Sequence, residues 1–133
     1  IYWYSSPSLI KEFLDLTLEH GFAYGAPDAA LTNKIMGLAV STAGTESDYS
    51  ETGYQTYPLR TFLTPFEQTA RLCNMTFLAP YAYFGAHAEQ DGFLNEHVQS
   101  YGRFISALRD ETLDIDAACA LDLMNATNLP VKG

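Results

Sequence analysis

The sequence has little charge, almost no cysteine and no long apolar run. Only 17% of its 133 residues are charged and 47% are apolar, which excludes an intrinsically disordered chain. Seven basic and sixteen acidic residues give a net charge of −9, which argues against binding to nucleic acid or anionic membranes. No apolar run approaches a membrane span, and no signal-peptide pattern is present. We therefore expect one domain that handles small molecules.

Motifs for several kinds of chemistry are also missing. Cys73 and Cys119 are too few for a disulfide scaffold. One bridge between them is the alternative, but two reduced thiols of a cytosolic protein are predicted, with Cys73 buried and inert. The histidines, at positions 20, 87 and 97, show no metal-ligand spacing with cysteines or carboxylates, so no metal is predicted. The patterns GxSxG, GxGxxG and GxxxxGK[ST] do not occur, which leaves a hydrolase or a phosphate loop unsupported.

Hydrophobic periodicity predicts alternating strands and helices. Three helices and three strands are expected, and their approximate positions are strand 1–4, helix 5–18, strand 34–41, helix 59–73, strand 76–84 and helix 93–108. This order predicts an α/β fold with parallel strands and right-handed crossovers. Residues 111–133 are expected to form a short helix or an extension of the same domain.

Local signals refine this prediction. Ser6 is the expected N-cap of the first helix with Pro7 at its first position, and Gly21 is its expected stop. The unalternating run at 34–41 suggests a strand buried on both faces, the second helix is interrupted or started at Pro65, and Pro80 weakens the third strand. Because three strands make a thin sheet and the chain opens on large apolar residues, we expect a further strand and helix before residue 1.

In open parallel sheets, ligands bind beyond the carboxyl ends of the strands. Trp3 and Tyr4 offer flat apolar surface there, and the small residues of Ser41–Gly44 allow backbone N–H groups to approach a ligand. This combination suits a planar ring with carbonyl and ring-nitrogen acceptors, such as a flavin. The alternative is that Trp3 and Tyr4 are core residues and the loop at 42–57 is only a connection. Within that loop, Tyr49 and Tyr54 fit a ligand or packing equally well, whereas its acidic residues (Glu46, Asp48 and Glu51) read as a solvated face.

Five short motifs resemble one known family. They are IYWYSSPSLIK with Phe13-Leu14-Asp15, GFAYG at 21–25, STAG at 41–44 with Tyr49 and Gly53 after it, PFEQTARLCNM at 65–75, and Phe84-Gly85-Ala86-His87. In this order, over about residues 1–108, they are similar to the flavodoxin-like NAD(P)H:quinone oxidoreductases. That family includes diaphorase-type enzymes and the ancillary oxidoreductases of glutathione-regulated potassium-efflux systems. The residues of the motifs in this chain are closer to those of the second branch.

The resemblance implies a doubly wound parallel sheet of which this chain is the C-terminal β-α-β-α-β-α part. Residues 1–110 would be that portion of a single flavodoxin-like domain and 111–133 its extension, with the N-terminal part that grips the flavin phosphate absent. The resemblance also implies non-covalent FMN or FAD, NAD(P)H as co-substrate, a quinone acceptor and a homodimer, in a cytoplasmic protein or one peripheral to the inner membrane.

The resemblance assigns the family's site roles to those residues of this sequence that match the family's motifs. Ile1, Trp3 and Tyr4 would lie against the flavin ring, and Ser41, Thr42, Ala43 and Gly44 would present amides to it. Tyr49 would hydrogen-bond the ring, and Phe22 and Tyr24 would wall the substrate pocket, in a homodimer from the neighbouring subunit. Gln55 stands where diaphorase-type enzymes have a histidine, so it can hydrogen-bond but not buffer a proton. Ala43 replaces the first loop glycine, which restricts φ there.

The implied reaction passes hydride from NAD(P)H to the flavin and then electrons to a quinone, and it needs no protein nucleophile. Two rivals remain. One is a regulatory or ancillary subunit of a potassium-efflux transporter with the same fold. The other is a domain that has lost its cofactor, which the departures at Ala43 and Gln55 favour.

Overall fold

The computed structural model describes residues 1–87 and 91–132, which divide into two compact units. The first unit comprises residues 1–36 and 59–77, and the second comprises the described residues of 37–58 and 78–133. Along the chain the elements are α1 (Ser8–Thr17), β1 (Ile35–Met36), β2 (Ala39–Ser41), a short 3₁₀ helix (Glu46–Asp48), α2 (Leu59–Phe62), α3 (Thr64–Leu72), β3 (Thr76–Phe77), β4 (Tyr81–Tyr83), α4 (Asp91–Arg109) and α5 (Ile115–Ala120). Both pairs of strands are parallel, which confirms the predicted α/β class.

The first unit is built on the pairing of β1 with β3 and on one apolar face of α2 and α3. Ile35 lies opposite Thr76, and Met36 lies opposite Phe77. The buried side chains of the two helices recur at spacings of three and four residues, and they are Leu59, Leu63, Phe66, Ala70 and Cys73. The helix breaks at Leu63, and α3 restarts there with Pro65 in its first turn, where a missing N–H costs nothing.

Two details of α1 differ from the prediction. Pro7 rather than Ser6 takes the N-cap position, because the extended backbone of Pro7 (φ −54°, ψ 148°) delays the start of the helix. The helix then ends at Thr17, before the predicted stop at Gly21, and the Leu18 N–H closes it by donating to the Leu14 carbonyl. Gly21 instead has a φ of +89° in the following turn.

The predicted strand at residues 1–4 is wrong. Tyr2 and Ser5 form an antiparallel bridge around a tight turn, since Trp3 and Tyr4 both adopt left-handed backbone conformations. Such conformations are rare for residues with a side chain, and the run of large apolar residues gave no signal for them.

The predicted strand at 34–41 is confirmed as β1 and β2, but its burial is not. Ile35, Ala39 and Ser41 are exposed, while Met36 and Val40 are half-buried. This alternation belongs to strands with one covered face, so the prediction of burial on both faces is wrong.

The second unit is built on the pairing of β2 with β4, with Ala39 opposite Tyr81 and Ser41 opposite Tyr83. The predicted strand at 76–84 is split into β3 and β4, and Pro80 lies between them. The predicted third helix is α4, and Phe104 on it stacks on Tyr81 with ring centroids 5.5 Å apart. Around this stack lies a core that comprises Leu78, Ala79, Tyr81, Phe104, Ala107, Leu113, Ala118 and Met124.

Two further predictions can be compared with the described residues. Cys73 is buried as predicted, burial raises the pKa of its thiol, and neither Cys73 nor Cys119 is in a disulfide. Among the helices that the structure describes, none combines the length and the apolar character needed to cross a bilayer.

Candidate functional site

The first group of candidate residues forms a turn at Tyr2–Ser5, which we call the aromatic turn. The Tyr2 N–H donates to the Ser5 carbonyl (3.0 Å) and the Ser5 N–H donates back to the Tyr2 carbonyl (3.1 Å). Trp3 and Tyr4 at its tip have φ values of +49° and +60°. For residues with a Cβ, this conformation costs about 1–2 kcal/mol each. The turn therefore carries backbone strain at two residues whose rings are exposed.

The rings of the aromatic turn are accessible. Trp3 is 82% exposed and Tyr4 is 53% exposed, and the Tyr4 ring centroid lies 5.3 Å from that of Phe62. The expectation that Trp3 and Tyr4 are core residues is thus excluded. Ile1, just before the turn, is half-buried. A strained, exposed aromatic pair is the arrangement expected for stacking on a flat ligand.

A second turn, at Thr42–Gly44, follows β2 and is called here the amide turn. Thr42 is 2% exposed, and its N–H donates to the Tyr83 carbonyl (2.9 Å). The Ala86 N–H donates to the Thr42 carbonyl (2.9 Å), and the Gly85 N–H donates to the Gly44 carbonyl (2.8 Å). The Thr42 hydroxyl also donates to the Gly44 carbonyl (2.8 Å). The segment that follows β4 therefore fixes the amide turn on both sides.

Two backbone amides of the amide turn are available to a ligand. The N–H groups of Ala43 and Gly44 have no acceptor within the part of the chain that the structure describes, and Ala43 is exposed. The expectation that Thr42 also presents its amide is wrong, because that N–H is used by Tyr83. Ser41 lies at the end of β2, immediately before the turn. Ala43 does not have a positive φ, so alanine fits this position without strain.

A compact loop supports the amide turn. The Asp48 carboxylate accepts hydrogen bonds from the Thr45 N–H (2.7 Å) and hydroxyl (2.8 Å), and the first of these bonds belongs to the capping box of the 3₁₀ helix. A Cβ on Gly53 would lie 2.3 Å from the Ser47 carbonyl oxygen, so only glycine fits there. Asp48 was expected to lie on a solvated face, but it is half-buried and structural. The Thr45-x-x-Asp48 spacing is the signal that could have identified this role.

Tyr49 and Gln55 lie on this same loop. The Tyr49 ring is half-buried and lies 5.8 Å from the Phe84 ring, on the segment that holds the amide turn. The Gln55 N–H donates to the Asp48 carbonyl (2.9 Å), which holds the residue against the capping box. The structure thus brings Tyr49, Gln55 and the amide turn together in the second unit.

Phe22 and Tyr24 lie on a turn of the first unit, between two glycines with positive φ. The Gly21 N–H donates to the Tyr24 carbonyl (2.7 Å), and the His20 ring packs where a Cβ on Gly25 would lie. The Phe22 side chain is 54% exposed and that of Tyr24 is half-buried. Phe22 therefore offers an accessible ring, as a pocket wall requires. Of the predicted site residues, Ile1, Trp3, Tyr4, Phe22 and Tyr24 belong to the first unit, and Ser41–Gly44, Tyr49 and Gln55 belong to the second.

A histidine of α4 packs against β4. The His97 ring lies 4.6 Å from the Tyr83 ring and 5.0 Å from the Tyr81 ring. Burial among these rings lowers the pKa of the His97 imidazole below its ordinary value of 6.5. No groups of three or more histidine, cysteine, aspartate or glutamate side chains that could hold a metal ion occur within residues 1–87 and 91–132.

Comparisons with known proteins agree on the fold. The glutathione-regulated potassium-efflux system ancillary protein KefG of Yersinia enterocolitica is 36% identical over 107 residues, which are 80% of this chain and 58% of that protein. The chain therefore spans less than three fifths of this curated relative. General stress protein 14 of Treponema denticola, solved in complex with FMN, is 32% identical with a TM-score of 0.67 and covers 84% of this chain and 61% of its own.

Two other solved structures carry different activity names. An NADPH-quinone reductase of P. pentosaceus is 26% identical with a TM-score of 0.64, and the match covers 68% of this chain and 54% of that one. A structure named as a thermophilic tryptophan halogenase of Streptomycin violaceusniger is 38% identical with a TM-score of 0.69, over 71% of this chain and 55% of that one. Because these proteins share the fold but carry different activity names, the fold alone does not identify the activity of this chain.

The family described as having the flavodoxin-like fold matches residues 1–105 of the chain. This match agrees with the parallel strands, with the helices between them and with the solved structures above. The chain belongs to the flavodoxin-like family.

Proposed function

We propose that this chain carries the ring-binding side of a flavin site in an NAD(P)H:quinone oxidoreductase. The observation that carries the proposal is the pair of N–H groups of Ala43 and Gly44, which have no acceptor among the described residues and lie on a turn that its neighbours hold rigidly. A flavin ring has carbonyl and ring-nitrogen acceptors on one edge, and two adjacent N–H donors complement that edge. Since the donors are already fixed, little ordering is needed when the ring binds.

Each proposed residue has a role that follows from its surroundings. Bound flavin would supply the hydride acceptance, for which the side chains themselves offer no suitable group. The Ala43 and Gly44 amides would stabilise negative charge on the reduced ring, because fixed dipoles need no reorganisation as the charge develops. Tyr49 would add a hydroxyl donor, and Gln55 would add an amide that orients without exchanging protons.

By the resemblance of their motifs to those of the family, the aromatic residues at positions 3, 4, 22 and 24 would provide apolar surfaces for the ligands. Trp3 and Tyr4 would stack on the ring and exclude water from it, which accounts for the strain of the aromatic turn. Phe22 and Tyr24 would form the wall against which nicotinamide and then quinone lie. In a homodimer, these two residues would serve the flavin of the neighbouring subunit.

The comparisons support this assignment without deciding its details. The FMN complex of general stress protein 14 favours FMN over FAD, and the NADPH-quinone reductase favours NADPH and a quinone as the two substrates. The absence of positive φ at Ala43 weighs against loss of the cofactor, because the residue that departs from the family pattern fits its position.

An absorption experiment tests the proposal. The protein is purified with its native start and reconstituted with FMN, and its visible spectrum is recorded under anaerobic conditions. We expect the bands of oxidised flavin, bleaching on addition of NADPH, and recovery of the bands when a soluble quinone is added. A protein that takes up neither FMN nor FAD contradicts the proposal.

A second candidate function is that of an ancillary subunit of a potassium-efflux transporter, at the cytoplasmic face of the inner membrane. The relative of Yersinia enterocolitica bears that name and is 36% identical, which is the observation in its favour. Co-purification with the transporter, and potassium flux with and without this protein, test this function. A flux that is independent of this protein, together with quinone reduction, would leave the reductase as the sole function.

A further inference from the structure

The C-terminal segment lies outside the family match but is part of the core of the second unit. The flavodoxin-like match ends at residue 105, whereas Leu113, Ala118 and Met124 beyond it are 2%, 0% and 0% exposed. They pack with Tyr81 and Phe104 in one apolar cluster. We refer to residues 111–132 as the strap.

The strap pairs with the edge of β4 that β2 does not use. The Ala79 N–H donates to the Ala118 carbonyl (3.1 Å), and the Ala82 N–H donates to the Met124 carbonyl (2.8 Å). In return, the Met124 N–H donates to the Pro80 carbonyl (2.9 Å). The backbone on this side of β4 is therefore satisfied from within the chain, and the edge is covered.

The strap is also tied to itself and to α4. The Asp114 N–H donates to the Pro130 carbonyl (2.9 Å), and the Lys132 N–H donates to the Thr112 carbonyl (2.8 Å). The Asp114 carboxylate caps α5 by accepting from the Ala117 N–H (3.0 Å). The Leu113 N–H donates to the Ala107 carbonyl at the end of α4 (3.1 Å). These bonds close the strap into a loop with a defined position.

The next residue of β4 connects the strap to the amide turn. Ala82 bonds to the strap, and its neighbour Tyr83 accepts the hydrogen bond of the Thr42 N–H. Gly85 and Ala86 then donate to the two carbonyls of the amide turn. A shift of β4 along its axis would break all three bonds to the turn together.

We propose that the strap is a conformational device that fixes the register of β4 and, through β4, the amide turn, so that release of the strap loosens the turn. The fixing of β4 by the strap does not depend on whether the amide turn takes a flavin ring. Its test therefore uses no flavin, and its failure is distinguishable from failure of the proposed function.

Amide hydrogen exchange of the full chain, measured residue by residue, tests the proposal. The variant Met124→Pro removes the N–H that donates to Pro80, and Met124→Leu is the matched control that keeps the N–H and the apolar side chain. We expect Met124→Pro to accelerate exchange at Ala82 and also at Thr42 and Gly85 by tenfold or more. Interior amides of α4 serve as the check that the second unit remains folded, and Met124→Leu should exchange like the parent chain.

A milder variant keeps the test decisive if Met124→Pro does not fold. Asp114→Ala removes the cap of α5, and loss of a cap of this kind corresponds to about fivefold faster local opening. We expect that increase at Ala82 and, in parallel, at Thr42 and Gly85. Faster exchange at Ala82 with unchanged exchange at Thr42 and Gly85 overturns the proposal, and so does unchanged exchange at Ala82 in both variants.

Discussion

The aromatic turn and the amide turn are both tight turns of candidate site residues, but different forces hold them. The aromatic turn is closed by two hydrogen bonds between Tyr2 and Ser5, and its tip is strained and exposed. The amide turn has no positive φ, has a buried threonine at its start and is bonded to the segment after β4. The scaffold therefore preorganises the amide turn, whereas the aromatic turn leaves its two rings exposed.

The largest effect is expected in the loop that supports the amide turn. Gly53→Ala places a Cβ against the Ser47 and Asp48 carbonyl oxygens and should lower the free energy of unfolding by up to about 3 kcal/mol. Gly102→Ala is the matched control, since nothing lies within 4 Å of its new Cβ in the interior of α4. That control should stabilise the protein by about 0.5–1 kcal/mol. Urea unfolding measures both, and equal values for the two variants would contradict the description of the loop.

Removing the buried hydroxyl of the amide turn should have the next largest effect. Thr42→Val keeps the shape of the side chain but loses its bond to the Gly44 carbonyl, and we expect a loss of about 1 kcal/mol in unfolding free energy. Thr112→Val, at an exposed position, is the control and should change stability by less than about 0.5 kcal/mol. A null result at Thr42 would mean that the backbone bonds alone hold the turn.

The aromatic turn should respond in the opposite direction. Trp3→Gly relieves the positive φ and should raise the free energy of unfolding by about 1 kcal/mol, because glycine adopts this conformation without cost. The same variant should bind flavin more weakly, since the stacking surface is lost. Thermal unfolding and flavin titration measure the two effects separately. Higher stability with unchanged flavin affinity would remove Trp3 from the site.

The smallest effect is expected in the pH dependence of the free energy of unfolding, to which the two turns should respond differently. Burial lowers the pKa of His97, so the unfolded chain takes up a proton at a higher pH than the folded chain. The unfolding free energy should therefore decrease as the pH falls below about 6.5. Since His97 packs on Tyr83, the amide turn should loosen before the aromatic turn does. His97→Gln should flatten this pH dependence, and an unchanged slope in that variant would show that another group is responsible.

Periodicity predicted most of the elements because each rests on local spacing. The buried residues of α2 and α3 recur every three or four positions, and α4 has the same pattern over a longer stretch. The parallel pairing of β2 with β4 follows from the alternation of strands and helices. These features can be predicted from neighbouring residues, without knowledge of contacts between distant parts of the chain.

The predictions that the structure contradicts have a different origin. The left-handed tip at Trp3 and Tyr4 is unusual for aromatic residues, and a run of four large apolar residues predicts a buried strand instead. The use of the Thr42 N–H by Tyr83, and the pairing of Met124 with β4, join residues about forty positions apart. No local pattern encodes such contacts, and they decide which amides of the candidate site remain available.

In the proposed function, the Ala43 and Gly44 amides receive a flavin ring. The most direct measurement is an amide NMR titration of the full chain with lumiflavin, which has the ring but no ribityl phosphate. We expect saturable shifts of the Ala43 and Gly44 signals that exceed the shift of Thr42, whose N–H is already bonded to Tyr83. Unmoved signals of Ala43 and Gly44 at saturating lumiflavin would contradict the account.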